Sequence, residues 1–203
     1  MEHFRTGRLT ARDWVAADLE GAFAIWSRVE VTRWVFPPSR PAVTSLAQMK
    51  QMLDQRIARN RENPAYGMWA VELQASGLVI GAVLLRPLRP GTDVEIGWHF
   101  NPDYWGAGYA TEAARGVVAL AFGLDQVGPE QVEPDPACRR VRPVLDRVQA
   151  LVDPGNSRPQ DVCRRLGMSH LGQTVLDGTA VELFELTRTG VHSGDSGAEP
   201  MRC

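Results

Sequence analysis

The residues with the most chemical potential lie between Glu95 and Glu112, in the run Glu-Ile-Gly-Trp-His-Phe-Asn-Pro-Asp-Tyr-Trp-Gly-Ala-Gly-Tyr-Ala-Thr-Glu. Gly106 and Gly108 can turn the backbone without a Cβ clash and expose successive N–H groups. A helix starting directly after them points the positive end of its dipole at the same place. The segment therefore reads as an anion cradle suited to a phosphate-bearing cofactor. The N–H groups of Gly106, Ala107, Gly108, Ala110 and Thr111 are the candidate donors, with the Thr111 hydroxyl as one more. The plainer alternative is a strand-to-helix turn. No Walker lysine follows the glycines, and the third glycine position of a dinucleotide fingerprint falls on Thr111.

The strand leading into this loop alternates. Ile96, Trp98 and Phe100 share one face, and Glu95, Gly97 and His99 share the other. Glu95 is the first candidate for a general base, directly or through a water, against the alternative of a salt-bridged strand carboxylate. His99 titrates in the right range for the same task, against the alternative of packing. The remaining histidines, His3, His170 and His192, are scattered without ligand spacing, so no metal site is predicted.

These residues need elements to position them. Leu9 to Arg12 belong to a short strand over 8–12, and Asp13 is a plausible N-cap for a helix with Val15, Leu19, Ala22, Phe23 and Trp26 on one face. Pro37, Pro38 and Pro41 interrupt the chain before a second helix carrying Leu46, Met49, Leu53 and Ile57. Met68–Leu73 and Leu78–Leu85 read as a hairpin around Ala75-Ser76-Gly77. The second of these strands is apolar on both faces, which places it centrally in a sheet covered by helices. Asp93 to Phe100 is the next strand, and a helix spans about Ala110 to Phe122, with Gly116 inside it for close packing on the sheet. Residues 125–146 gather four prolines and read as a surface loop. Val148–Val152 is a strand, and Ser157-Arg158-Pro159-Gln160 opens a helix in capping-box style that ends at Gly167. Strands near 168–175 and 180–187 complete the sheet, and 189–203 is expected to be a disordered tail.

Composition bounds the rest. The chain has 203 residues, 44% hydrophobic and 23% charged, with a net charge of −2, which fits one packed domain over 1–188 and supplies no basic field for nucleic acid. Three scattered cysteines suit reduced thiols in a cytoplasm, and no apolar run reaches the ~18 residues of a membrane span.

The run Trp105-Gly106-Ala107-Gly108-Tyr109-Ala110-Thr111-Glu112-Ala113 resembles the acyl-CoA pyrophosphate loop of the GNAT N-acetyltransferase superfamily, whose pattern is Gln/Arg-x-x-Gly-x-Gly/Ala. Trp105 takes the first position, Gly108 the fourth and Ala110 the sixth. The Tyr-Trp-Gly-x-Gly-Tyr-Ala-Thr-Glu form is similar to the branch of ribosomal-protein N-terminal acetyltransferases. Downstream, Asp153-Pro154-Gly155-Asn156 followed by Leu166-Gly167-Met168 resembles a second signature of that branch. The resemblance implies an α/β (α+β layered) fold: a mixed sheet of six or seven strands, about four flanking helices, and a splayed parallel pair, here 93–100 and 148–152. Residues 125–146 stand outside it as an insertion.

It further implies acetyl-CoA as donor co-substrate and an amine acceptor, either a small molecule or a protein N-terminus. It also leaves a homodimer open. Cofactor contacts carried over are the backbone near Trp98 and Phe100, the loop from Trp105 through Tyr109 to Thr111, and Asn156 on the pantetheine arm, where the residue's own alternative is an Asx turn. Arg164 and Arg165 are candidates for the adenosine phosphates or complements to their helix C-terminus. Cys163 occupies the place where many relatives carry a tyrosine general acid; it is either a weak proton donor or buried packing. Pro159 stands where relatives often have a serine. An acidic acceptor pocket could draw on Glu72, Glu182 or Asp177, although no spacing singles them out. The expected activity is an N-acetyltransferase with direct attack of the amine on the thioester; the alternative is a non-catalytic acyl-CoA-binding or regulatory module.

Overall fold

The computed structural model describes residues 1–35, 42–88, 93–127, 129–134, 136 and 144–192. The chain opens with strands β1 (Glu2–Arg5) and β2 (Leu9–Arg12), a 3-10 turn at Ala16–Asp18, and helices α1 (Leu19–Trp26), α2 (Val29–Thr32) and α3 (Leu46–Glu62). Strands β3 (Gly67–Leu73), β4 (Leu78–Pro87) and β5 (Val94–Phe100) follow, then a 3-10 turn at Pro102–Tyr104 and helix α4 (Tyr109–Phe122). After them come β6 (Gln126–Val127), β7 (Glu130–Gln131), β8 (Glu133–Pro134), β9 (Arg147–Val152), α5 (Ser157–Arg165), β10 (Ser169–Leu176), β11 (Thr179–Thr187) and α6 (Arg188–His192).

Among the described residues, nine strands form one sheet in the order β10-β11-β9-β5-β4-β3-β2-β1-β8. Neighbours pair antiparallel except β5 and β9, which run parallel. The mixed sheet with one parallel pair is the fold expected from the sequence, with more strands than six or seven. Alternation along the strands divides the apolar residues between two cores. Trp69, Val83, Leu85 and Ile96 face α4 and α5, whereas Ala70 and Ala82 face α1 and α3 beside Trp26, Met49 and Leu53. Strand β4 is buried from Ile80 through Leu85, as a central strand must be.

Gly116 shows why α4 lies so close to the sheet. A Cβ there would fall 2.1 Å from Cε2 of Phe4 on β1, so only a glycine admits that ring.

Several local expectations need correction. Asp13 does not cap a helix; its carboxylate bonds His3 at 2.8 Å, and α1 begins only at Leu19. Val15 is consequently 48% exposed rather than on the core face. Asn156, not Ser157, occupies the N-cap of α5. The stretch 125–146, expected to be a loop, contains β6, β7 and β8; Val127 and Val132 are buried in the main core, and β8 extends the sheet by pairing with β1. At the start of the expected tail, α6 continues to His192; residues 193–203, like Pro37, Pro38 and Pro41, lie outside the described residues.

Candidate active site

The parallel pair makes an opening in the sheet. Strands β5 and β9 are bridged at one position, Glu95 opposite Gln149, and the pairing does not continue toward Phe100 and Val152. The N–H of Asn101 donates to the carbonyl of Ile80 on β4 at 3.0 Å. Backbone groups alternate sides along an antiparallel strand, so those of Trp98 and Phe100 face away from β4 and into the gap. The indole N–H of Trp105 donates to the Phe100 carbonyl at 2.9 Å, which leaves the Trp98 peptide groups and the Phe100 N–H directed at the wedge.

The glycine loop stands at the mouth of this wedge. Gly106 (φ 84°) and Gly108 (φ 82°) both take left-handed backbone, and Gly108 is the N-cap of α4. The first-turn N–H groups of Tyr109, Ala110 and Thr111 have no acceptor inside the helix. A cradle of this kind, with a dipole behind it, fits a pyrophosphate. The loop is braced by a residue that sequence reading missed, Arg8, which donates to the Ala107 carbonyl at 3.0 Å and lies 4.4 Å over the Tyr109 ring. Its Nε donates to the buried Glu112 carboxylate at 2.6 Å, and that carboxylate also accepts the Thr6 hydroxyl at 2.6 Å and the Arg8 N–H at 2.9 Å. Residues 6–8 and 112 are too far apart in sequence for any spacing rule to join them.

Helix α5 supplies the opposite wall. Asn156 lines the cleft and makes no side-chain bond to its own helix, so its amide is not spent on capping. Arg158 lies 4.3 Å over the Trp105 ring, and Arg165 and Arg115 also line the cleft. Of the two arginines read from sequence, Arg165 lines the cleft, whereas Arg164 does not and bonds Asp161 at 2.6 Å and Gln160 at 3.2 Å. A 3.6-residue turn carries Arg164 and Arg165 to different faces, and sequence did not reveal which one faces inward.

The cleft continues, with a volume of about 1260 Å³, past the wedge toward α1, α2 and α3. Glu95 is buried there (8% exposed) and accepts from Arg86 Nε at 2.7 Å. Burial pushes its carboxyl above the ordinary carboxylate range, with Arg86 opposing. His99 Nδ1 accepts the indole N–H of Trp26 at 3.2 Å. Burial first, then the charges of Arg56 and Arg86, hold the imidazole down to about 3, so it is neutral at physiological pH with its hydrogen on Nε2. That nitrogen is a donor, which corrects the reading of His99 as a base. Across the cleft, the Trp34 ring reaches the β9–α5 turn, where a Cβ on Gly155 would lie 3.5 Å from Cζ3.

Cys163 is a correction of the same kind. It is fully buried in the main core, does not line the cleft, and its thiol is pushed up to about 12 by burial. Its side chain is part of the packing of the main core. None of Glu72, Glu182 and Asp177 lines the cleft: Glu72 pairs with Arg12, Glu182 with His170, and Asp177 sits in the β10–β11 turn. Among the described residues, no group of three His, Cys, Asp or Glu side chains is placed to hold a metal, and no helix is long and apolar enough to cross a membrane.

Comparison with known proteins agrees with this geometry. The chain is similar to Bacillus subtilis YkkB, 29% identical over 119 residues; the aligned stretch spans 58% of the chain and 58% of YkkB, little more than half of that protein's length. It is also 29% identical over 127 residues to the B. subtilis N-acetyltransferase YoaA, covering 61% of the chain and 70% of YoaA. Among solved structures, a GNAT-family acetyltransferase from Bacillus anthracis superposes with a TM-score of 0.70 at 19% identity, covering 93% of the chain and 99% of the other. Aminoglycoside acetyltransferase AAC(6')-Ib, solved with ribostamycin and coenzyme A, gives 0.68 at 18%, covering 94% and 99%. RimL, a ribosomal-protein α-N-acetyltransferase solved with coenzyme A, gives 0.63 at 15%, covering 89% and 94%. These structures share the fold. The family model described as an acetyltransferase (GNAT) domain matches residues 8–169, most of the chain, and the protein therefore belongs to the GNAT acetyltransferase family.

Proposed function

We propose that the protein transfers an acetyl group from acetyl-CoA to an amine by direct attack. The observation that carries this reading is the continuity of the glycine cradle with the β5/β9 wedge. One surface offers pyrophosphate donors at Gly106 to Thr111 and a strand edge at Trp98 and Phe100. Asn156, Arg8 and Arg158 complete the donor side. When bound, acetyl-CoA supplies an activated thioester carbonyl. The chain's own contribution is to align the pantetheine arm along β5, to offer a backbone N–H to the carbonyl oxygen, and to present Glu95 as the base that relieves the amine of its proton. Since His99 is a neutral donor at Nε2, it orients a ligand rather than accepting a proton.

Similarity of the Trp105–Ala113 loop to ribosomal-protein N-terminal acetyltransferases makes that branch the working placement. The cytoplasm is the working location, in keeping with scattered cysteines. A second reading, a non-catalytic acyl-CoA-binding module, is favoured by the burial of Cys163 and by Pro159 on the cleft wall, which supply no proton donor at the two places where relatives often carry a tyrosine and a serine. Thiol release from acetyl-CoA in the presence of peptides, small amines and amino acids separates the two. Release that rises with amine concentration is the expected result; tight CoA binding with no release across the panel would favour the second reading.

A further inference from the structure

Beyond the β5/β9 wedge the cleft is lined by Arg56, Arg86 and His99 together with Glu30 and Glu95. Arg56, from α3, has its guanidinium 4.2 Å over the Trp26 ring, and its Nη1 donates to Met68 Sδ at 2.6 Å, two contacts that fix its position on the cleft wall. Arg86, from β4, lines the same end and binds Glu95. His99 adds its Nε2 hydrogen, because Nδ1 is occupied by Trp26. The ion pairs here are Arg86 with Glu95 at 2.7 Å and Arg28 with Glu30 at 3.6 Å, and each leaves further guanidinium N–H groups to its arginine. After burial, the charges of Arg56 and Arg86 both lower the His99 imidazole, so both arginines lie within electrostatic reach of it.

We propose that the acceptor amine carries an anionic group, a carboxylate or a phosphate, which binds Arg56 and Arg86 beside the His99 Nε2 hydrogen. The proposal rests on the acetyl-transfer reading above and sharpens it to a substrate class. A guanidinium pre-positioned on an indole matches a planar or tetrahedral oxyanion with two parallel donors. The same positive field repels polycations such as polyamines and favours the unprotonated form of an incoming amine, which is the nucleophilic one. An acceptor with its amine toward Glu95 and its anion toward Arg56 would be complementary in charge to both.

The test uses matched pairs on the full chain: phenylalanine against phenylalaninamide for the carboxylate, phosphoethanolamine against ethanolamine for the phosphate, and spermidine as the polycation. Binding of each to the CoA-loaded protein is measured by calorimetry, and turnover with acetyl-CoA by thiol release. We expect the anionic member of at least one pair to bind about tenfold or more tightly than its partner. That preference should be lost in Arg56→Gln and reduced but still present in Arg56→Lys, which keeps the charge without the paired donors, with CoA affinity unchanged in both variants as the check on folding. Equal binding within both pairs, binding of neither member, tighter binding of spermidine, or a preference that survives Arg56→Gln would overturn the proposal. A preserved binding preference without thiol release would support the anion site while removing the acetyl-transfer reading beneath it.

Discussion

Glu95 occupies the position where the chemistry of this family member is most exposed to test. A base must be ionised to act, and burial raises this carboxyl above its usual 4.5, so activity should fall on acidification through a value above that figure. Glu95→Gln should remove this acid limb and lower kcat by about 10²-fold with acetyl-CoA affinity preserved; a rate profile of unchanged height and shape would exclude Glu95 as the base. His99 makes a separate contribution. Its folded value near 3 lies below the ordinary 6.5, so the unfolded chain binds the extra proton between those limits. Stability from this group is therefore complete above about pH 6.5 and is lost as pH falls toward 3. The thermal midpoint of the native protein should drop more steeply from pH 7 to pH 4 than that of His99→Gln. Residue types in the glycine loop were readable because backbone conformation dictates them. The roles of His99, Cys163 and Arg164 were not, because each depends on which neighbours burial and helix phase bring together: Trp26 for His99, the main core for Cys163, Asp161 for Arg164.

At the scale of elements, the loop depends on a brace from the other end of the chain. Arg8→Gln removes the contacts to Ala107 and leaves the Glu112 carboxylate buried with its charge uncompensated. The thermal midpoint should fall, and KM for acetyl-CoA should rise about tenfold with kcat little changed. Adding Glu112→Gln should restore stability without restoring KM, because the buried charge is gone but the loop is still unbraced. Helix α4 is held by a different constraint. Gly116→Ala gains roughly 1 kcal/mol of helix propensity, but it forces a methyl into the Phe4 ring, and overpacking typically costs about 1–3 kcal/mol. We expect net destabilisation in denaturant melts, and an unchanged or raised midpoint would mean the helix can shift away from β1. Most of these elements were legible from periodicity: the β3–β4 hairpin, the central β4, and α4 after its glycines. The late start of α1 was not, since Asp13 is a good cap by type and is diverted to His3 by the β1–β2 pairing.

For the molecule as a whole, the arrangement of β5 beside β9 is what the proposed function rests on. The two strands are separated in sequence by α4 and the 123–146 segment and are brought together by β9 pairing with β11 on its other side. No local pattern encodes that neighbourhood; resemblance to the family did. The same is true of the insertion, whose prolines suggested a loop while Val127 and Val132 enter the core and β8 adds an edge strand to β1. A ligand seated across the wedge couples to this global architecture, so CoA at a hundred times its Kd should raise unfolding free energy by about 2.7 kcal/mol. The most direct measurement is amide hydrogen exchange with and without saturating CoA. Protection should concentrate in two segments, 97–101 along β5 and 105–112 through the glycine loop into α4. Saturable binding with no protection in either segment would contradict the placement of the cofactor in the β5/β9 wedge.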